Sequence, residues 1–241
     1  MRNLRTLSNP SDLRKTRRPA LSAALVFLFI GSVNIYAQKA QAPTEGVSIP
    51  TPAEIERSGI RVESAYQNPL LQFSISVPPQ WNFANEEINR KIMSDGSAKL
   101  NENETKARQA EFDRSIGNSV VLFSLTPFPF GDSRNTSNFA CGYERTSVSA
   151  LAYARSNKDL LLTKGPEARL IKDTYSLKIG GADVQAFDLG SAPNGVKISQ
   201  VFYMIARPRG ILFCVATWLD SADEQRKALD AIMKSSKFDE K

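Results

Sequence analysis

Of the side chains that commonly move protons or attack carbonyls, histidine is missing from the sequence altogether. That excludes a Ser-His-Asp triad, a Cys-His pair and the imidazole metal sites of many hydrolases. Serine with lysine could still act as nucleophile and base, but no S-x-x-K motif sits in a strand-to-helix context. There is no G-x-S-x-G, no P-loop and no G-x-G-x-x-G. Acid pairs do occur: Glu86 with Glu87, Asp183 with Asp188, and Asp220 with Asp223. Glycoside hydrolysis needs two carboxylates converging across a cleft. Neighbouring glutamates on a helix diverge, Asp183 and Asp188 alternate across a strand, and Asp220 and Asp223 stand where acids belong at a helix start. The loop "GDSRN" offers one aspartate, Asp132, too few oxygens for a divalent cation. No catalytic residue, metal ligand or cofactor is therefore assigned, and the chain reads as non-catalytic.

Two further groups bear on binding and on redox state. Arg207 and Arg209 flank Pro208 at a hairpin tip and could hold an anion or an acidic partner; the blander role is to keep a turn soluble. Cys141 and Cys214 lack C-x-x-C spacing, so thiol redox catalysis is not indicated. They are a candidate disulfide if the chain is exported, or else two buried thiols in neighbouring strands. Asn103 and Asn135 head formal N-glycosylation motifs.

The elements that must position these groups follow from patterning. "LQFSISVPPQWNF" alternates Phe73, Ile75 and Val77 against Gln72, Ser74 and Ser76, the period of a half-buried strand. Pro78 and Pro79 end it, since proline has no N–H for a ladder, and Trp81 is expected to fold back over the core. Residues 85–138 read as a helical and loop-rich insertion, although "SVVLFSLTPF" within it is a strand apolar on both faces. "SVSALAYARSNKDLLL" places Leu151, Ala154, Leu161 and Leu162 at helical spacing. Strands "EARLIKDTYSLKI" and "ADVQAFDLG" meet at Gly180-Gly181, a turn at "APNG" follows, and two more strands join across Pro208-Arg209. Ser221 and Glu224 have capping-box spacing before a final helix with Leu229, Ile232 and Met233 inward. Successive hairpins with helices on their faces define an α+β fold, an antiparallel sheet with helices packed on it.

The charge is local. Of 31 basic and 25 acidic residues, Arg2, Arg5, Arg14, Lys15, Arg17, Arg18 and Asp12 lie in residues 1–37. The remainder is nearly neutral and carries no footprint for nucleic acid. The basic start and the apolar run "ALSAALVFLFIGSVNIYA" have the layout of a signal peptide cleaved after Ala37, an uncleaved membrane anchor being the alternative. "TRRPAL" is similar to a twin-arginine signal but lacks its phenylalanine. The expected organisation is a signal peptide (1–37), a proline-rich linker (38–65) with a helical turn near "PAEIERSGI", and a single domain (66–241).

"LQFSISVPPQW", "KIGGADVQAFDL" and the closing "VFYMIARPRGILFCVATWLDSADEQRKALDAIMKSSKF" together resemble the PsbP-like family over roughly residues 66–240. That family includes extrinsic photosystem proteins and DcrB-type exported bacterial proteins. The resemblance implies an α/β/α sandwich and an accessory, protein- or ligand-binding role, exported to the periplasm or beyond. It assigns no site residue, and the long 85–138 segment departs from the family pattern. The partner stays open between a protein and a small ligand, with membrane contact only through an uncleaved leader. The competing functions are a carboxylate- or Ser/Lys-based hydrolase and a membrane-tethered structural protein.

Overall fold

The computed structural model describes residues 50–91, 94, 106, 117–165 and 167–239. The leader, its cleavage point, Asn103 and most of residues 92–116 of the expected insertion lie outside the described residues. Seven antiparallel strands form the main sheet in the order β4-β5-β6-β10-β9-β8-β7. These are β4 (Asn82–Phe83), β5 (Ser119–Thr126), β6 (Ser137–Arg145), β7 (Arg169–Ile179), β8 (Ala182–Ser191), β9 (Ile198–Arg207) and β10 (Gly210–Leu219). A second sheet, β1-β2-β3-β11, joins β1 (Ile60–Val62), β2 (Ala65–Asn68) and β3 (Phe73–Ser76) to the chain's last strand, β11 (Lys237–Phe238). Helix α1 (Pro52–Arg57) precedes them, α2 (Ala150–Lys164) follows β6, and α3 (Asp223–Lys234) follows β10.

Because side chains alternate across a strand, each central strand feeds two cores. Val201, Tyr203 and Ile205 of β9 and Leu212, Cys214 and Ala216 of β10 face the small sheet and the apolar stripe of α3, Leu229, Ile232 and Met233. Phe202, Met204, Ile211, Phe213 and Val215 face the other way, onto Tyr153, Ala154 and Leu161 of α2. Phe187 and Phe202 stack there with ring centroids 4.7 Å apart. The α+β layering thus follows the pattern, with one addition: part of one sheet face is covered by a second sheet.

The opening alternation is β3, and Phe73, Ile75 and Val77 are all buried. After Pro78 the Trp81 N–H donates to the Pro78 carbonyl at 2.9 Å, and the indole is buried in the core. β5 is buried on both faces, with a bulge between Val121 and Phe123.

Several expectations need correction. The helical turn expected near "PAEIERSGI" is α1, but the supposed 38–65 linker also contains β1, and Ile55 is buried in the main core. Thr51 and Glu54 form a capping box, each side chain bonded to the other's backbone N–H. The box expected at Ser221 and Glu224 does not form: α3 begins after Ala222, which gives no side-chain cap. Residues 85–138 are not an insertion throughout, since β5 lies second in the main sheet and β6 begins at Ser137. Leu151 is exposed, and Tyr153 and Leu160 fill the α2 stripe in its place. At "APNG" a short 3-10 turn, Pro193–Gly195, joins β8 to β9, with Gly195 at φ +77°.

Gly180 is required for two reasons. Its φ is +54°, and an added Cβ would stand 2.2 Å from the Ser236 carbonyl oxygen. The β7–β8 turn therefore presses directly on the backbone entering β11.

Candidate functional site

The sequence-derived acid pairs do not converge. Glu86 meets Arg90 at 3.9 Å on an exposed helical stretch that starts after Asn85, whose Oδ1 accepts from the Ile88 N–H. Asp183 pairs with Lys178 across the β7–β8 hairpin at 2.9 Å, on the sheet face opposite Asp188. Asp220 accepts from Ser199 Oγ at 2.5 Å, while Asp223 lies in the first turn of α3. Asp132 receives Arg134 in a two-pronged pair (Nε to Oδ1 at 3.0 Å, Nη2 to Oδ2 at 2.7 Å) that holds its carboxyl down at about 2. Among the described residues no cluster of three or more His, Cys, Asp or Glu is placed to hold a metal.

Asn135 is not a glycan acceptor in the folded chain. It is buried; its Oδ1 accepts from the Phe128 N–H, and its Nδ2 donates to the carbonyls of Phe128 and Pro129. It organises the loop between β5 and β6. Asn135→Ala strands those backbone groups and is expected to cost about 2–3 kcal/mol. Urea denaturation would read this, and a loss below about 0.5 kcal/mol would show that water replaces the amide.

The cysteines resolve in favour of the bridge. Cys141 and Cys214 stand directly opposite in β6 and β10, Cα atoms 4.1 Å apart, and are joined as a disulfide.

Two polar groupings emerge beside α3 and at the sheet's end. In the first, Tyr175 donates its hydroxyl to Asp188 Oδ1 at 2.8 Å, with the Lys172 ammonium 3.6 Å from the Tyr175 ring centre. Burial raises the Asp188 pKa, and nearby Asp230 adds to this. The Tyr175 hydroxyl bond and the charges of Lys172 and Arg226 oppose it. Burial first, then Asp230 and Asp188, push the Tyr203 phenol up, against Arg226. The folded state thus holds the Asp188 proton more tightly than the unfolded chain does. Its stabilising contribution is present below the unfolded carboxylate range and is lost as pH rises through the raised folded value. Asp188→Asn, which keeps an acceptor for Tyr175, should therefore gain stability relative to the parent on going from about pH 3 to pH 7. Thermal melts of both proteins across that range check the sign; a variant that loses stability relative to the parent as pH rises would contradict it.

The second grouping holds the sequence-derived arginines. Arg207, half-buried, lies with Cζ 5.1 Å from the Phe238 ring centre, and its Nε and Nη1 are buried without an acceptor. Arg209 occupies the tip at φ +64°. The pairing Arg145↔Gly210↔Arg207 adds a third arginine that local sequence could not reveal, because only sheet register brings it there.

No family model matches the sequence, and no curated protein matches it either. Solved structures similar to this one include cyanobacterial PsbP (CyanoP) from Synechocystis sp. PCC 6803, with 9% identity and a TM-score of 0.47, covering 75% of this chain and 95% of that one. LpqN of Mycobacterium tuberculosis, involved in cell envelope biogenesis, is similar with 10% identity and a TM-score of 0.44, covering 79% and 98%. A Bacteroides thetaiotaomicron VPI-5482 protein has 14% identity and a TM-score of 0.40, covering 74% of this chain and 49% of its own. None of these similarities carries a residue role to this chain.

Proposed function

We propose that the mature protein is an exported accessory module that binds a protein or small ligand and catalyses no reaction. The observation that carries the reading is the Cys141–Cys214 bridge between two central strands, a bond that persists in oxidising compartments. It fits a leader cleaved after Ala37 and release into the periplasm or beyond. The non-catalytic part rests on the missing histidine and on acids engaged separately by their own neighbours. Among the described residues no helix is long and apolar enough to cross a membrane.

Crosslinking in the native envelope, followed by affinity capture and mass spectrometry, tests both halves. The expected result is a mature start at Gln38 and a reproducible crosslinked partner. An intact leader would instead make the chain a tethered protein. Turnover of a small molecule by the purified chain, abolished by changing one acid or hydroxyl, would make it an enzyme.

A further inference from the structure

Arg207 is held in an unusual electrostatic position. Two of its three guanidinium nitrogens are covered yet bond to nothing, while burial disfavours the charge. Among the described residues Asp239 is the acid whose charge reaches it, and no ion pair within 4.0 Å joins them. The Asp239 backbone is fixed by its N–H to the Gln72 carbonyl at 3.2 Å. An unpaired charge in such surroundings costs stability unless something supplies acceptors. The Oγ of Ser236, two residues before Phe238, is also buried without a partner.

Hydrogen bonds tie down the backbone under these groups. The Tyr143 hydroxyl donates to the Pro208 carbonyl at 3.1 Å, and the Thr146 N–H donates to the Arg209 carbonyl at 3.3 Å. Between Arg145 and Arg207 stands Gly210, where a Cβ would come within 2.2 Å of the Glu144 carbonyl oxygen. The two arginines therefore flank a position without a side chain, on the same sheet face and roughly 10 Å apart at about 4.8 Å per strand. Arg145 is exposed, and among the described residues no ion pair or side-chain hydrogen bond engages it. Glu144, the nearest acid in sequence, points to the opposite face, where it accepts from Tyr153.

We propose that this end of the main sheet, centred on Arg207 with Arg145 and Arg209 beside it, receives the carboxylates of an acidic segment on a partner protein. With Nε and Nη1 covered, Arg207 meets a carboxylate at Nη2 and through its charge, while the exposed Arg145 offers the parallel N–H bonds with which a planar guanidinium matches a carboxylate. The spacing exceeds what one small anion spans, but suits acidic side chains a few residues apart on an extended chain. A lipid surface fits less well, because none of the large exposed apolar side chains sits on either turn at this end. The assignment deepens the binding reading above by naming the partner's chemistry.

The test uses the leader-free protein and fluorescently labelled hexaglutamate, followed by anisotropy at about 50 mM salt. Saturable binding is expected, lost at about 500 mM salt. Arg207→Gln should weaken it about tenfold or more, and Arg145→Gln about threefold. Asp239→Asn should tighten it, and Arg90→Gln, an equal loss of charge elsewhere, should leave it unchanged. Arg207→Met should melt no lower than the parent, since it removes an unpaired charge. A melting point several degrees lower would make the guanidinium structural and overturn the site. So would binding that is absent or indifferent to Arg207→Gln. Vesicles with about 30% phosphatidylglycerol form the other arm, and Arg207-dependent binding to them alone would reassign the site to lipid. Arg207-dependent peptide binding with no envelope partner captured would leave the site standing and remove the envelope reading.

Discussion

Replacing both cysteines (Cys141→Ala with Cys214→Ala) is expected to lower the unfolding free energy by about 4 kcal/mol. The bridge closes a loop across a sequence separation of 73, and the entropy denied to the unfolded chain grows with the logarithm of loop size. The loop includes β7, β8 and β9, so the unfolded chain is constrained across much of the main sheet. Both residues are fully buried in the core beneath the small sheet, and losing the sulfurs adds a packing cost of the same sign. The folded register does not need the bond, because Cys141 and Cys214 are already opposite in a continuous β6–β10 ladder. The variant should therefore fold to the same structure and melt about 10 °C lower or more. Reductant should bring the parent down toward the variant's melting point, stopping above it by the packing that the retained sulfurs supply, and leave the variant where it is. If the two proteins melted together without reductant, the bond would contribute nothing and the support it lends to export would go with it.

That bond also marks where sequence reasoning stops. Each cysteine lies in a strand visible from its own neighbours, but pairing across 73 positions depends on register, which local pattern does not encode. The hairpins were legible because their turns are local chemistry: Gly180 and Gly181 both take positive φ, and Pro208-Arg209 joins strands in register from Arg207↔Gly210. The final helix was legible through its stripe, although its cap was not, since capping depends on backbone placement that spacing alone does not fix. β1 hid inside an apparent linker because all three of its residues are exposed, so it shows no alternation to read. The small sheet was invisible for a different reason. It pairs β3 with β11 from the far end of the chain, and strands of two to four residues carry too little periodicity to announce it.

The site divides the same way. Arg207 and Arg209 were found through the turn between them, whereas Arg145 reaches them only through two intervening ladders. Spacing sets Asp188 and Asp183 on opposite faces of one strand, and there they lie. What Asp188 does engage, Tyr175, is set by register shifts between Leu170 and Tyr175 that no motif marks.

Phe123→Ala is expected to cost about 3–5 kcal/mol, the range for deleting a fully buried aromatic ring. The ring is wholly inaccessible and sits where the two sheets meet. Its centroid is 4.6 Å from Tyr66 of the small sheet, 6.1 Å from Phe83 and 6.3 Å from Phe139 of the main one. From Tyr66 the contacts run on to Phe73 at 6.3 Å and then to Phe238, stacked 5.5 Å away, whose ring also lies under Arg207. Phe123 is thus the link through which β5 braces the sheet that carries β11. Phe123→Leu keeps most of the volume and should cost less than about 1.5 kcal/mol. A double-mutant cycle of Phe123→Leu with Tyr66→Leu should return a coupling of about 0.5–1.5 kcal/mol beyond simple burial. The same chain separates stability from binding. Phe123→Leu leaves the Phe238 ring in place and should leave hexaglutamate affinity unchanged. Phe238→Leu takes away the aromatic face beneath the guanidinium and should alter that affinity even where the protein remains fully folded. Equal effects of the two leucine variants on binding would mean that the arginine end responds to general loosening of the core, with no specific part for the ring that carries Arg207.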